Sequence, residues 1–254
     1  MSPKLFSHED KGAREQEILN CAKDMIRSEG EVSLTIDKLV KKLPYSKGTV
    51  YNHFTGKEDI ILALCNAHMT QIASVFTRAL TFNGNSREKA LAVHVGSLLN
   101  AQANPQDFMI GVTVKTASST SKASEFRRQQ HQNIELAILS PVFAHVQASV
   151  DAGECVLPEG MQIEQFVFAC WSVDFGTQLL LMGDHNSCTI RSKLNAEREM
   201  VNGVNLVHDG IAWQPLAKHF DWKKSVQRMK DEIFVPEMEE ISRLAALKNK
   251  LINI

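Results

Sequence analysis

The chain has almost no net charge: 28 Lys and Arg stand against 29 Asp and Glu, leaving −1 with histidine neutral. A molecule-wide basic field of the kind that draws a protein to nucleic acid is therefore excluded. Cysteine is sparse and unpatterned. The five, at 21, 65, 155, 170 and 188, are odd in number, widely spaced and free of C-x-x-C, which argues against a disulfide framework and a structural zinc site and points to a reducing cytoplasm. Long apolar runs are also lacking. Lys4, His8, Glu9, Asp10, Lys11 and Arg14 interrupt the N-terminus before a signal peptide could form, and no uninterrupted stretch is expected to span a bilayer, so no membrane partner is expected. Period-two alternation never persists, and no Asn-Gly or Asp-Gly turn joins two β-branched runs, so strands are not expected. Catalytic signatures are missing as well: there is no H-E-x-x-H, no His pair at i, i+4, no G-x-S-x-G elbow and no glycine-rich loop after a strand. Asp184, His185 and Cys188 have metal-ligand side chains but no fourth partner. No catalytic residue, metal or cofactor is expected.

What is present is helical periodicity almost throughout, which predicts an all-α protein. Residues 1–12 are polar and expected to be loose. Ile18, Ala22, Met25 and Ile26 recur at helical spacing over 13–29, and Gly30 ends that helix. Thr55 to Glu58 has the pattern of a capping box, opening a long helix to residue 80. Further helices are expected at 86–103, 105–117, 121–152 with a kink or break near Pro141, 161–182, 192–218, 222–234 and 236–250, with a loop at 153–160. The division expected is a flexible 1–12, a smaller helical domain with connecting helix at 13–79, and a larger helical domain at 80–254.

The densest information lies between Ser33 and Asp59. Ile36, Leu39, Val40 and Leu43 fall on one helical face with Lys38, Lys41 and Lys42 outside. Pro44 breaks the helix, because proline cannot donate to the preceding turn and drives the residue before it out of helical geometry. Ser46 is suited to cap the next helix, 47–54. Winding that helix puts Val50 and Phe54 inward and Tyr45, Gly48, Thr49 and Asn52 outward, a small and polar face of the kind a major groove admits. From Val32 to Lys57 five lysines stand against Asp37 alone, a local net of +4. Tyr45, Lys47, Thr49 and Asn52 are candidates for base edges, with Lys47 relying on its long stem, and Gly48 permits close approach of the backbone. Tyr51 and His53 flank the face, where their tips reach phosphates. Thr35 is either a helix cap alone or a cap beside a phosphate site. Lys57 opens the following helix, where dipole and ammonium both favour a phosphate.

These residues resemble the TetR family of transcriptional regulators. The run Ser46-Lys47-Gly48-Thr49-Val50-Tyr51-Asn52-His53-Phe54-Thr55-Gly56-Lys57-Glu58-Asp59-Ile60 is similar to the family's S-K-G-T-[LV]-Y-x-[HY]-F-x-x-K-E-[DE]-[LI], and the likeness extends back to Arg14 and on to about Met69. One departure is Pro44-Tyr45, where the family has Gly-Val. The resemblance implies a phosphate contact for Lys57 and a ligand-responsive homodimer, most often a repressor, on a palindromic double-stranded DNA operator. It also implies a dimer seam in which the helices 161–182 and 192–218 meet their symmetry mates. An unidentified small molecule would bind the larger domain, where Phe108, Met109, Phe126, Phe143, Phe168, Trp171 and Phe175 either line a cavity or form ordinary core. Two other functions fit the same N-terminal residues: a DNA-anchored protein-interaction factor, and an enzyme with a vestigial reader.

Overall fold

A computed structural model describes residues 8–116, 118–182 and 188–252. Among these are eleven α-helices and no strand: α1 His8–Glu29, α2 Ile36–Lys42, α3 Lys47–Tyr51, α4 Lys57–Leu80, α5 Ser86–Ala103, α6 Pro105–Thr116, α7 Glu125–Asp151, α8 Ile163–Leu181, α9 Ala196–Gly210, α10 Trp222–Glu232 and α11 Val235–Ile252. The chain forms two compact units, one of Met1–Thr70 with Gln106–Ile134, the other of Gln71–Pro105 with Glu135–Ile254.

In the first unit the long α1 and the short α2 and α3 each turn an apolar face inward. Ile18, Ala22 and Met25 of α1, Ile36 and Leu39 of α2, Val50 of α3, Phe54 and Ile60 are all buried, at the spacings that the sequence pattern requires. Gly30 follows α1 at φ 82°, a left-handed conformation that a side chain would oppose. Thr35 Oγ1 accepts the Lys38 N–H at 3.2 Å and Ser46 Oγ accepts the Thr49 N–H at 3.1 Å, so both expected caps form. The segment 106–134 is fastened to this core by polar side chains. Lys23 pairs with Asp107 at 2.7 Å, and buried Arg127 pairs with Glu15 while lying 5.3 Å over the Phe54 ring.

The second unit is built around α5, which is buried along most of its length and packs against α8, α9, α10 and α11. Its main cluster joins Leu91, Val95, Leu98 and Leu99 to Met200, Val204, Met229 and Phe234. A smaller cluster holds Ala90, Val146, Phe166, Cys170, Ile211 and Trp213. A Cβ on Gly203 would stand 2.6 Å from Val173 Cγ1, so the α8–α9 crossing needs a glycine there. Arg87 of α5 is fully buried. It donates to the carbonyls of Asn205 and Pro215 at 3.0 Å and to Asn205 Oδ1 at 2.9 Å, and it pairs with Asp209 at 2.6 Å.

Several sequence expectations are corrected. α1 begins at His8, within the segment expected to be loose. The acid that reaches back to the Thr55 N–H is Asp59, at 3.1 Å, in place of Glu58; its other oxygen accepts from Ser124 N and Oγ, so it is held on both sides. α3 ends at Tyr51, although the His53 and Phe54 N–H groups still reach the Val50 carbonyl. α7 runs unbroken through Pro141. The carbonyl that this proline leaves without a helical donor belongs to Ala137, an exposed residue, where water can serve in its place. The helix expected at 192–218 stops at Gly210, ahead of a turn and Pro215. Finally, α4 does reach the length and mean hydropathy (1.4) of a spanning helix, but 56% of that window is buried inside the protein, as in a core helix.

Candidate nucleic-acid interface

The outward surface of the first unit is set by α3 and the turn before it. Val50 and Phe54 point into the core, which leaves Ser46, Lys47, Gly48, Tyr51 and Asn52 exposed and Thr49 and Tyr45 half-buried. Gly48 has helical geometry, and a Cβ there would meet nothing closer than Ser46 Oγ at 3.8 Å. The fold itself has no need of a glycine at this position.

Four of the five lysines of this surface are paired. Lys47 lies 2.6 Å from Asp37 and Lys57 2.7 Å from Glu31, while Lys42 and Lys38 approach Glu29 at 3.1 and 3.6 Å. Lys57 also donates to the Glu31 carbonyl at 3.2 Å, and Lys41 is exposed. Glu29 and Glu31 lie outside the window that gives the local charge of +4; with them, five lysines face three carboxylates, a net of +2. Lys42 beside Glu29 and Lys47 beside Asp37 hold both carboxyls below their usual range. The exposed pairs of Lys38, Lys42 and Lys47 are weak, while that of Lys57 is half-buried.

Other expected contacts are placed differently. The Tyr45 hydroxyl donates to Glu17, and the Arg14 guanidinium lies 5.4 Å over its ring. The His53 side chain is only 4% exposed and faces Glu15 at 3.8 Å; burial lowers its pKa and Glu15 partly offsets that. Thr35 remains exposed at the start of α2. Beside α3 an open concavity is lined by Tyr51, Asn52, His53, Phe126 and Arg127. Phe126, expected to line an effector cavity, is 68% exposed here.

In the second unit a cavity of about 60 Å³ is lined by Phe76, Val93, Val142, Phe166, Trp171 and Trp213, among others. Trp171 is the one member of the seven expected apolar residues in that lining. Phe108 is buried in the first unit, where Met109 is exposed; Phe143 and Phe175 are half-buried, and Phe168 is 62% exposed. Phe168 continues along α8 with Trp171, Phe175, Leu179 and Leu180, and Leu206 of α9 is 73% exposed, so these two helices present apolar side chains to solvent.

Sequence spacing missed a second feature of this cavity. His94 of α5, Cys170 of α8 and His208 of α9 each offer one ligand atom, all within 4.8 Å of one another. Asp174 lies one turn beyond Cys170, with Oδ2 3.5 Å from His94 Nδ1 and Oδ1 accepting from Gln178 at 2.6 Å. Burial pushes the Cys170 thiol up to about 12 and His208 well below its usual value. The Asp184–His185 pair considered from sequence lies outside the described residues.

Residues 18–64 match the family described as bacterial regulatory proteins, tetR family. No curated protein matches the chain. Among solved structures it is similar to a protein of unknown function from Rhodococcus sp. RHA1 (TM-score 0.62, 14% identity, covering 84% of this chain and 100% of that one). It is also similar to the TetR family transcriptional regulator PfmR from Thermus thermophilus (TM-score 0.53, 15% identity, covering 75% and 96%). A third likeness is to RolR in complex with its ligand resorcinol (TM-score 0.54, 10% identity, covering 88% and 96%). At these identities the likenesses concern the fold.

Proposed function

We propose that this chain, whose residues 18–64 match the tetR family of bacterial regulatory proteins, is a cytoplasmic, sequence-specific transcriptional repressor released from its operator by an effector. The observation that carries the reading is the face of α3. It is capped by Ser46, small and polar outward, and centred on a glycine for which the fold has no internal use. Tyr45, Lys47, Thr49 and Asn52 read base edges; Thr35, Ser46, Tyr51, His53 and Lys57 position the phosphates. His53 must turn from Glu15 to do so, and Lys47 and Lys57 exchange their carboxylates for phosphate.

The operator is palindromic because the protein is a homodimer. One short recognition helix covers too few base pairs to discriminate against a genome, and two-fold symmetry doubles the readout. The exposed apolar side chains of α8 and α9 support a seam there, since a monomer gains nothing by presenting Phe168, Leu180 and Leu206 to water. DNA reading is assigned to residues 13–79 and effector binding to 80–254. An effector that binds better to the DNA-incompetent state weakens operator binding by the same coupling energy.

The test is selection of bound sequences from random DNA by the full chain, followed by affinity measurement on the selected site and on random DNA. Asn52→Ala should cost about 1–3 kcal/mol on the selected site and little on random DNA. Dispersed sites with no shared palindrome would sink the repressor reading and favour the DNA-anchored factor.

A further inference from the structure

We propose that His94, Cys170 and His208 form a binding site for one transition-metal ion of the zinc class. The three side chains come from three helices, yet their ligand atoms already lie within 4.8 Å of each other. Ligands at ~2.1 Å (nitrogen) and ~2.3 Å (sulfur) around a tetrahedral ion are themselves roughly 3.5 Å apart, so small side-chain rotations close the site.

Polar satisfaction points the same way. His208 Nδ1 is buried without a hydrogen-bond partner and His94 Nδ1 makes no hydrogen bond, having only the Asp174 carboxylate at 3.5 Å; folded proteins avoid an orphaned buried nitrogen unless something else engages it. Apart from His145 and Asp174 the rest of the lining is apolar, and it contains no lysine or arginine. Charge also balances: a divalent ion, the Cys170 thiolate and the buried Asp174 carboxylate sum to zero, which a low-dielectric interior requires. As the metal–sulfur bond forms, the thiol proton passes to solvent, so ion uptake releases a proton. Two imidazoles and a thiolate select a borderline-soft ion over magnesium or calcium.

Size decides between an ion and an organic effector. A cavity of about 60 Å³ holds an ion with a few waters, whereas organic ligands occupy ~300–1,000 Å³. The fourth coordination position falls to water or to Asp174. The site itself stands on geometry; only its regulatory consequence rests on the repressor reading above.

The experiment uses full-length protein stripped of metal and titrated with Co²⁺, then with Zn²⁺. The expected result is one cobalt per chain, with tetrahedral ligand-field bands and a thiolate-to-cobalt charge-transfer band that zinc abolishes. Cys170→Ala and His94→Gln should lose the charge-transfer band and tight binding respectively, and Asp174→Asn should bind ~10–100-fold more weakly. Each variant's helical content and melting temperature without metal are compared with those of the parent, so a misfolded variant is recognised and replaced by Cys170→Ser or His94→Asn. Cys188, whose pKa is lowered to about 7 by hydrogen bonds from Arg191, is the competing thiol, and Cys188→Ala must keep the signature. A folded parent without the charge-transfer band, or a band lost in Cys188→Ala and kept in Cys170→Ala, overturns the site. Operator affinity measured with and without Zn²⁺ separates the two ideas. The signature with unchanged operator affinity supports the metal site and counts against effector release through it; release by an organic molecule with no signature overturns the site and keeps the repressor reading.

Discussion

The two units treat charge in opposite ways. The reader keeps its lysines at the surface in one- or two-contact pairs, Lys57 with Glu31 and Lys47 with Asp37, where water competes for both partners. The second unit sinks Arg87 into its centre and surrounds it with carbonyls, Asn205 and Asp209, with the Trp222 ring 4.9 Å from the guanidinium. One set of cations is held loosely enough to change partner; the other is fixed and serves the fold. Surface charge on a DNA reader is therefore a poor guide to stability, and buried charge in the body a poor guide to binding.

The largest effect that sharpens this contrast is expected at Arg87. Arg87→Met leaves the acceptors on Asn205 and Pro215 unmatched and should cost about 3–5 kcal/mol by urea denaturation. A loss below about 1 kcal/mol would mean that water enters the site and that the body is as exchangeable as the reader. Next comes the seam. Leu206→Glu and Phe168→Glu alter exposed positions, so monomer folding should persist while sedimentation shows monomers and operator affinity falls by more than ~10-fold. Variants that remain dimeric move the seam off α8 and α9. Smaller again is Lys57→Ala, which should weaken selected and random DNA about equally and lower the salt slope by ~1 per half-site. The smallest effect is expected for Glu31→Gln. Freeing Lys57 should change stability by no more than ~1 kcal/mol and leave DNA binding equal or a few-fold tighter; weaker binding would show that Glu31 orients the lysine for its phosphate.

The same contrast governs what can be read from sequence. The reader is a contiguous run in which caps, apolar spacing and the break at Pro44 are all local, so Thr35, Ser46, Val50 and Phe54 fall where helical periodicity puts them. Long-range partners are invisible to such a reading. Nothing near Lys57 in sequence announces Glu31, and Asp59 takes the role expected of Glu58 partly because Ser124 holds its other oxygen. In the body, periodicity marks residues as apolar without saying which face meets a cavity, so Trp171 lies in the lining while Phe168, on the same helix, sits in solvent. His94, Cys170 and His208 cannot be found by spacing, since each stands on a different helix and only Cys170 has a candidate partner, Asp174, one turn away.

The open space around Gly48 has a genetic consequence. A methyl group there meets only Ser46 Oγ at 3.8 Å, and alanine is a better helix former than glycine by about 1 kcal/mol. A Gly48→Ala chain should therefore fold and pair normally while holding its recognition helix off the groove. Expressed beside the parent in a cell, it would sequester parent chains into mixed dimers with one working half, so the defect should be dominant, whereas a truncated chain lacking α8 and α9 should be recessive.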